Sequence, residues 1–356
     1  MSAASAASAA SAVEVALARL QTTSRRRRSR RLTVSLGLAL AAVVVMTASL
    51  LVGELPLSLG QVLATAVGRG DDVSQLVLVD FRLPRLLLGV LVGAGLALSG
   101  ALFQSVLRNP LASPDIIGVA QGASVGAVLV TIGLGLSGLW LPLGALAGAL
   151  LVAALNLALA WRRGLTGQRF VLCGIALAFV ASSVLGYLLT RSEVRAAQGA
   201  LVWLAGSVSS AEYAGILRLA VPLLVLVPLA LVAGRRLAML EMGDDAAQAV
   251  GGPASAVRVA AIGIGVALAG VATASAGPVA FVALTSAPIA RRLVGDGGIA
   301  LVPTALVGVL VVTVSDFAAQ HLVPGIDVPV GIVTGVIGGP YLIWLLAGGR
   351  RPRRNR

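Results

Sequence analysis

The chain has 356 residues, 58% hydrophobic and 12% charged, with a mean hydropathy of +0.98, which excludes an ordinary water-soluble domain and leaves a polytopic membrane protein. Its net charge of +13 comes entirely from arginine, because all 27 basic residues are Arg, and these gather at the ends of apolar segments instead of along one face, which argues against nucleic-acid binding. The absence of lysine also removes the side chain that a P-loop needs to reach a nucleotide's terminal phosphates, so this chain is not an ATPase.

Residues 1–31 open with the low-complexity run SAASAASAAS and end in the cluster Arg25, Arg26, Arg27, Arg28, Arg30 and Arg31; the composition reads as a disordered cytoplasmic arm. The apolar run from Leu32 to Gly53 is long enough to span a bilayer and lacks an A-x-A cleavage site, so a retained first span is expected in preference to a secretory or twin-arginine signal. Charge-free windows at 86–107, 170–190, 219–234 and 328–349 read as further spans, and the uncharged interval 116–161 must hold two, turning near Gly135 to Pro142. Residues 350–356 form a basic cytoplasmic tail.

Arginine clusters at both termini place both ends in the cytoplasm and require an even number of spans. Counting 259–290 and 297–316 as one span each gives nine, so one of them must split. Gly277-Pro278 is the expected break, where proline removes a donor and glycine loosens the backbone. The topology then has about ten helices, with 21 arginines on the cytoplasmic side and six outside, namely Arg69, Arg82, Arg85, Arg191, Arg195 and Arg218. Gly93, Ala97 and Gly100 recur 177 residues later as Gly270, Ala274 and Gly277. Two halves of five spans have opposite orientation, an inverted repeat of the kind found in many transporters; small residues at this spacing also arise wherever helices pack closely.

The chemistry-bearing residues are sparse. Cys173 is the only cysteine and His321 the only histidine; neither has a second ligand at metal spacing, and no intrachain disulfide is possible. No cofactor or metal is expected. The apolar spans hold no ionisable residue in their interiors, with Asp115 and Asp316 at span ends, which weakens an ion-coupled secondary transporter. No nucleophile–base set or carboxylate pair supports a membrane enzyme. What remains is a polar, uncharged path with Gln104, Asn109, Gln121, Ser182 and Ser183 as candidate lining groups, residues that hydrogen bonding between helices would equally explain.

Five ordered motifs carry a family resemblance. They are Arg82-Leu83-Pro84-Arg85 leading through Gly93 to the Arg108-Asn109-Pro110-Leu111-Ala112 turn and Pro114; Trp203 to Ser207; Gly243 to Gly251; Gly277-Pro278 with Phe281 and Ile289 to Arg292; and Val328 to Thr334 with Gly338 to Pro340. Together they resemble the permease subunits of ABC importers for iron chelates and cobalamin. The resemblance implies an all-α, multi-pass permease domain over 32–349 in a bacterial cell membrane, pairing with a second permease subunit, two ABC ATPase subunits and an extracytoplasmic siderophore-binding protein. It assigns docking of that binding protein to Arg82 and Arg85, a cytoplasmic gate to Thr166, Gly167 and Gln168, and coupling to the ATPase to Gly243, Asp244, Asp245, Ala247 and Gly251. The element from Trp203 to Ser207 is similar to that of the siderophore branch, so a ferric siderophore is the expected cargo, with haem and cobalamin as alternatives. Two departures stand out: proline lies at Pro288, one position from its usual place, and Gln320 stands where some relatives carry a docking arginine.

Overall fold

The computed structural model describes residues 3–161, 167–240, 254–322 and 327–348. Among them every regular element is helical: α1 (Ala3–Leu51), α2 (Leu59–Ala66), α3 (Asp72–Gln75), α4 (Leu83–Leu107), α5 (Val119–Val128), α6 (Trp140–Ala160), α7 (Gly167–Thr190), α8 (Val194–Leu204), α9 (Tyr213–Leu240), α10 (Ala254–Ala276), α11 (Val282–Val294), α12 (Leu301–Leu322) and α13 (Val330–Gly348). The hydrocarbon core explains this uniformity, since it offers no water and each backbone donor must be satisfied within its own segment. Seven stretches among the described residues are long and apolar enough to cross a membrane: Arg25–Leu51, Asp72–Leu107, Trp140–Ala160, Gly167–Thr190, Tyr213–Leu240, Ser255–Ala276 and Leu301–Leu322. Val119–Gly133 and Val330–Leu345 are shorter apolar helices.

The uncharged interval 116–161 divides as its length requires, with α5 and α6 separated by a turn. The chain also breaks at Gly277-Pro278: α10 stops at Ala276 and α11 starts at Val282. At the other end, the arginine cluster assigned to the terminal arm is helical, continuous with the first apolar run in α1. Alanine and arginine are both strong helix formers, and Arg31 of this stretch is tied to Asp296 in the loop after α11.

Helix α4 is the hub of the bundle. Its side chains Val92, Leu96, Ala97, Leu98, Leu102 and Phe103 are essentially inaccessible, and it packs against α9, α10, α11 and α12. Close contact with α12 depends on Gly93 and Gly308: a Cβ built on Gly308 would fall 2.3 Å from the Gly93 carbonyl oxygen. Between α5 and α6 the same device is doubled, because Gly122 and Gly126 face Gly148 and Gly144 at one-turn spacing, with a Cβ on Gly126 only 2.0 Å from the Gly144 oxygen. This is small-residue packing, in which backbones approach because no side chain intervenes.

Two π-helical segments, Leu76–Arg82 and Leu129–Gly133, interrupt the regular turns. The first immediately precedes Pro84, whose missing N–H leaves the carbonyl one turn earlier without its α-helical donor. The π-helical segment closes with Leu83 N–H reaching back five residues to the Leu78 carbonyl.

Candidate functional site

Three sequence-distant motifs meet at the end of the bundle that carries Arg82 and Arg85. The Ser207 N–H donates to the Ala276 carbonyl at 2.8 Å, and the Gly331 N–H donates to the Gly206 carbonyl at 3.0 Å. The segment after α8, the last residue of α10 and the first turn of α13 are thereby joined through their backbones. Only glycine suits two of these positions. Gly206 has φ 71° and Gly277 has φ 70°, and a Cβ on either would lie 2.3 Å from a carbonyl, that of Pro278 or of Trp203 respectively. Phe281 adopts φ 66° at the start of α11, a left-handed conformation that disfavours a bulky residue. Its carbonyl accepts from the N–H groups of Leu284 and Thr285 at 3.1 and 2.9 Å, and its side chain presses against Gly338 of α13.

Beside this junction lies a cavity of about 550 Å³ whose lining includes Trp203, Ser207, Ser209, Glu212, Arg218 and Asp327. The wall combines an aromatic ring, hydroxyls and charges of both signs, groups suited to a polar organic ligand that has both apolar and hydrogen-bonding parts. Motif reading located Trp203 and Ser207 but missed Ser209, Glu212 and Asp327. The available signal was the polar run Ser207 to Glu212 between two apolar stretches, which reads equally as a solvated connection.

Arg82 and Arg85 sit close together with different duties. Arg82 donates Nη1 to the Leu50 carbonyl and Nη2 to the Leu55 carbonyl, both at 2.6 Å, satisfying one carbonyl in the last turn of α1 and one in the loop that follows it. The Arg85 guanidinium grips Asp316 through Nε at 3.0 and 3.1 Å and through Nη2 at 2.9 Å. Nη2 also meets Asp327 at 2.9 Å. Gln320 completes the network by donating to Asp316 at 2.9 Å. Asp327 is half-exposed, whereas Arg85 and Asp316 are largely covered.

The five path candidates are not brought together within this chain. Gln104 is buried between α4 and α11: its Nε2 donates to the Leu284 carbonyl at 3.0 Å, and its Oε1 accepts from Arg291. The reason lies in Pro288. A regular helix would give the Leu284 carbonyl to the N–H of residue 288, which proline lacks, so the glutamine supplies the donor. Asn109 is an exposed turn residue whose Oδ1 accepts from Leu111 N–H at 3.0 Å. Gln121 on α5 is half-buried and its Oε1 has no hydrogen-bond partner, a condition it shares with both amide atoms of the fully buried Asn156 on α6. Ser182 and Ser183 lie on an exposed face of α7 with Phe179 and Tyr187.

At the opposite end, Arg108 in a left-handed turn donates to the Leu240 carbonyl at 2.8 Å and closes the last turn of α9. Gly167 lies beside it, sharing a cavity of about 150 Å³ with Leu107, Arg108 and Arg258, and Gln168 is exposed. Thr166 and the whole segment from Gly243 to Gly251 lie outside the described residues. In the turn between α4 and α5, burial pushes the Asp115 carboxyl up to about 6. Among the described residues no group of three or more His, Cys, Asp or Glu is placed to hold a metal ion.

Comparison with known proteins agrees with this arrangement. Residues 40–348 match the model of the FecCD transport family. The chain is 35% identical over 308 residues to the Fe(3+)-citrate import system permease protein YfmE of Bacillus subtilis (strain 168), covering 85% of this chain and 91% of that one. It is 36% identical over 306 residues to the ferric enterobactin transport system permease protein FepG of Escherichia coli (strain K12), covering 86% and 93%. A solved inward-facing structure described as a metal-chelate type ABC transporter superposes with a TM-score of 0.80 at 30% identity, covering 89% of this chain and 99% of that one. With a family match extending from α1 into α13, the chain belongs to the FecCD transport family and is a multi-pass protein of the cell membrane.

Proposed function

We propose that the chain is the permease subunit of an ABC importer that moves an iron chelate, specifically a ferric siderophore, into the cytoplasm, with ATP hydrolysed by separate subunits. The observation that carries this reading is the junction of Gly206-Ser207, Ala276 to Pro278 and Gly331 beside the cavity that holds Trp203. Residues that resemble permease signatures in three distant parts of the sequence form one structural unit at one end of the bundle. The relatives named for ferric citrate and ferric enterobactin support iron chelates as the cargo class. The lysine-free sequence supports an external ATPase.

Ten spans are the proposed topology: the seven long helices together with Val119–Gly133, α11 and Val330–Leu345. It returns both arginine-rich termini to the cytoplasm and gives two inverted halves related by Gly93, Ala97, Gly100 and Gly270, Ala274, Gly277. The exposed face of α7 supports pairing with a second permease subunit, across which Gln121, Ser182 and Ser183 would face the path, with Gln104 and Asn109 at its cytoplasmic side. Thr166, Gly167 and Gln168 form the proposed gate there. Gly243, Asp244, Asp245, Ala247 and Gly251 form the proposed contact with two ATPase subunits. Arg82 and Arg85 remain the proposed docking point for a siderophore-binding protein, a role in which Arg85 would exchange its half-exposed partner Asp327 for a carboxylate of that protein. Deletion of the gene should abolish growth on one ferric siderophore as sole iron source while leaving growth on free iron salts intact. Unimpaired growth on every chelate tested would contradict the reading.

A further inference from the structure

We infer that the arginine cluster midway along α1 and the loop after α11 form a binding site for the headgroup of an anionic phospholipid. The two elements enclose a cleft of about 480 Å³ lined by Arg26, Arg27, Ser29, Arg30, Gly295 and Asp296. Of the groups around it, Asp296 is committed: its side chain is almost fully covered and accepts from Arg31 and from the Gly298 N–H. Burial alone would raise its carboxyl, but the Arg31 and Gly298 hydrogen bonds and the nearby Arg27 charge hold it below the ordinary carboxylate range. Arg30 spends one donor on the Leu293 carbonyl at 3.4 Å. Among the described residues, Arg26 and Arg27 form no ion pair with a carboxylate.

The sequence of this helix calls for an anion. Arg26 and Arg30 lie four residues apart on one helix, as do Arg27 and Arg31, a spacing at which like charges repel. One aspartate offsets only one of the four guanidinium groups. A phosphate diester in the cleft would accept from several of them at once, and arginine's planar fork suits that geometry.

A lipid fits better than a free anion because of what lies alongside. Leu32, Leu36 and Leu40 are 56%, 69% and 66% exposed and form one outward stripe at one-turn spacing. The exposed Arg25 and Arg28 continue that same face and flank the cleft-lining Arg26 and Arg27 in sequence. An anionic lipid would place its phosphate among the arginines while its acyl chains follow the leucines, and basic residues just cytoplasmic of a membrane helix favour anionic headgroups.

The test uses the full-length protein in an uncharged maltoside detergent, where no anionic surface is present, with bound lipid counted by native mass spectrometry. Dioleoylphosphatidylglycerol should bind saturably, dioleoylphosphatidylcholine should bind far more weakly, and inorganic phosphate at equal concentration should not displace the bound lipid. The combined change Arg26→Gln, Arg27→Gln and Arg30→Gln should weaken phosphatidylglycerol binding by about a hundredfold. Arg69→Gln, Arg191→Gln and Arg195→Gln, which remove the same charge from exposed positions that do not line the cleft, should weaken it less than about threefold, the loss left to diffuse electrostatics at a distance. Equal loss in the two variants, equal binding of the two lipids by the unaltered protein, or displacement by phosphate would each overturn the inference. The two comparisons on unaltered protein stand even if the arginine variant fails to fold.

Discussion

Removing the Gln104 amide tests whether this side chain repairs the backbone at Pro288. Gln104→Leu deletes the donor to the Leu284 carbonyl, a 3.0 Å hydrogen bond in a fully buried position, together with the contact from Arg291. An unsatisfied buried acceptor costs roughly 1–3 kcal/mol, and hydrogen bonds between membrane helices have measured couplings of about 0.6–1.7 kcal/mol. In a Pro288→Ala background, residue 288 regains an N–H that donates to the same carbonyl within the helix. Gln104→Leu should therefore be cheaper there by about 1 kcal/mol, and the Arg291 contact, lost in both backgrounds, cancels from the cycle. Unfolding of the purified protein by dodecyl sulfate in mixed micelles gives the four stabilities. Additive costs within about 0.3 kcal/mol would refute the repair.

Gly126→Ala places a methyl 2.0 Å from the Gly144 oxygen and should destabilise the chain by about 1–3 kcal/mol in the same unfolding assay, whereas Gly186→Ala, with no atom within 4 Å of its added Cβ, should be neutral or slightly stabilising; equal effects would mean that the α5–α6 crossing is not close. Asp316→Asn leaves Arg85 paired only to half-exposed Asp327, and its thermal unfolding should show a loss of about 3 kcal/mol, so an unchanged midpoint would remove the structural role of the pair. The raised carboxyl of Asp115 binds a proton more tightly folded than unfolded. Its contribution is therefore present below the unfolded value of about 4 and fades as pH rises through about 6. Asp115→Asn should abolish that segment of the stability profile, and an identical slope in the variant would assign it to other groups.

Much of the architecture is written in the apolar windows, because a segment without water must be helical and about 20 residues long. The break at Gly277-Pro278 was also legible, since the missing donor and the permissive glycine act locally. Less legible were the roles of polar side chains. Gln104 reads as a path residue because it is polar and uncharged in an apolar span, yet its partner is set by a proline 184 positions later in the sequence. Arg82 and Arg85 read as a pair facing outward, but the carbonyls of Leu50 and Leu55 and the carboxylate of Asp316 reach them only through tertiary packing. The arginine cluster before Leu32 has a composition that suits disorder, and composition does not reveal Asp296, which arrives from 265 residues away to hold Arg31. Compositional rules register charge and hydropathy; they do not register which loop will lie beside them.

ATP-driven uptake of a radiolabelled ferric siderophore into proteoliposomes tests the transport assignment most directly. The permease should be reconstituted with a cognate ATPase and binding protein, with ATP supplied on the cytoplasmic face. Accumulation should require ATP, both partner proteins and this chain, and should be indifferent to collapse of proton and sodium gradients. Uptake that proceeds without an ATPase, or that stops when either gradient is dissipated, would contradict the assignment.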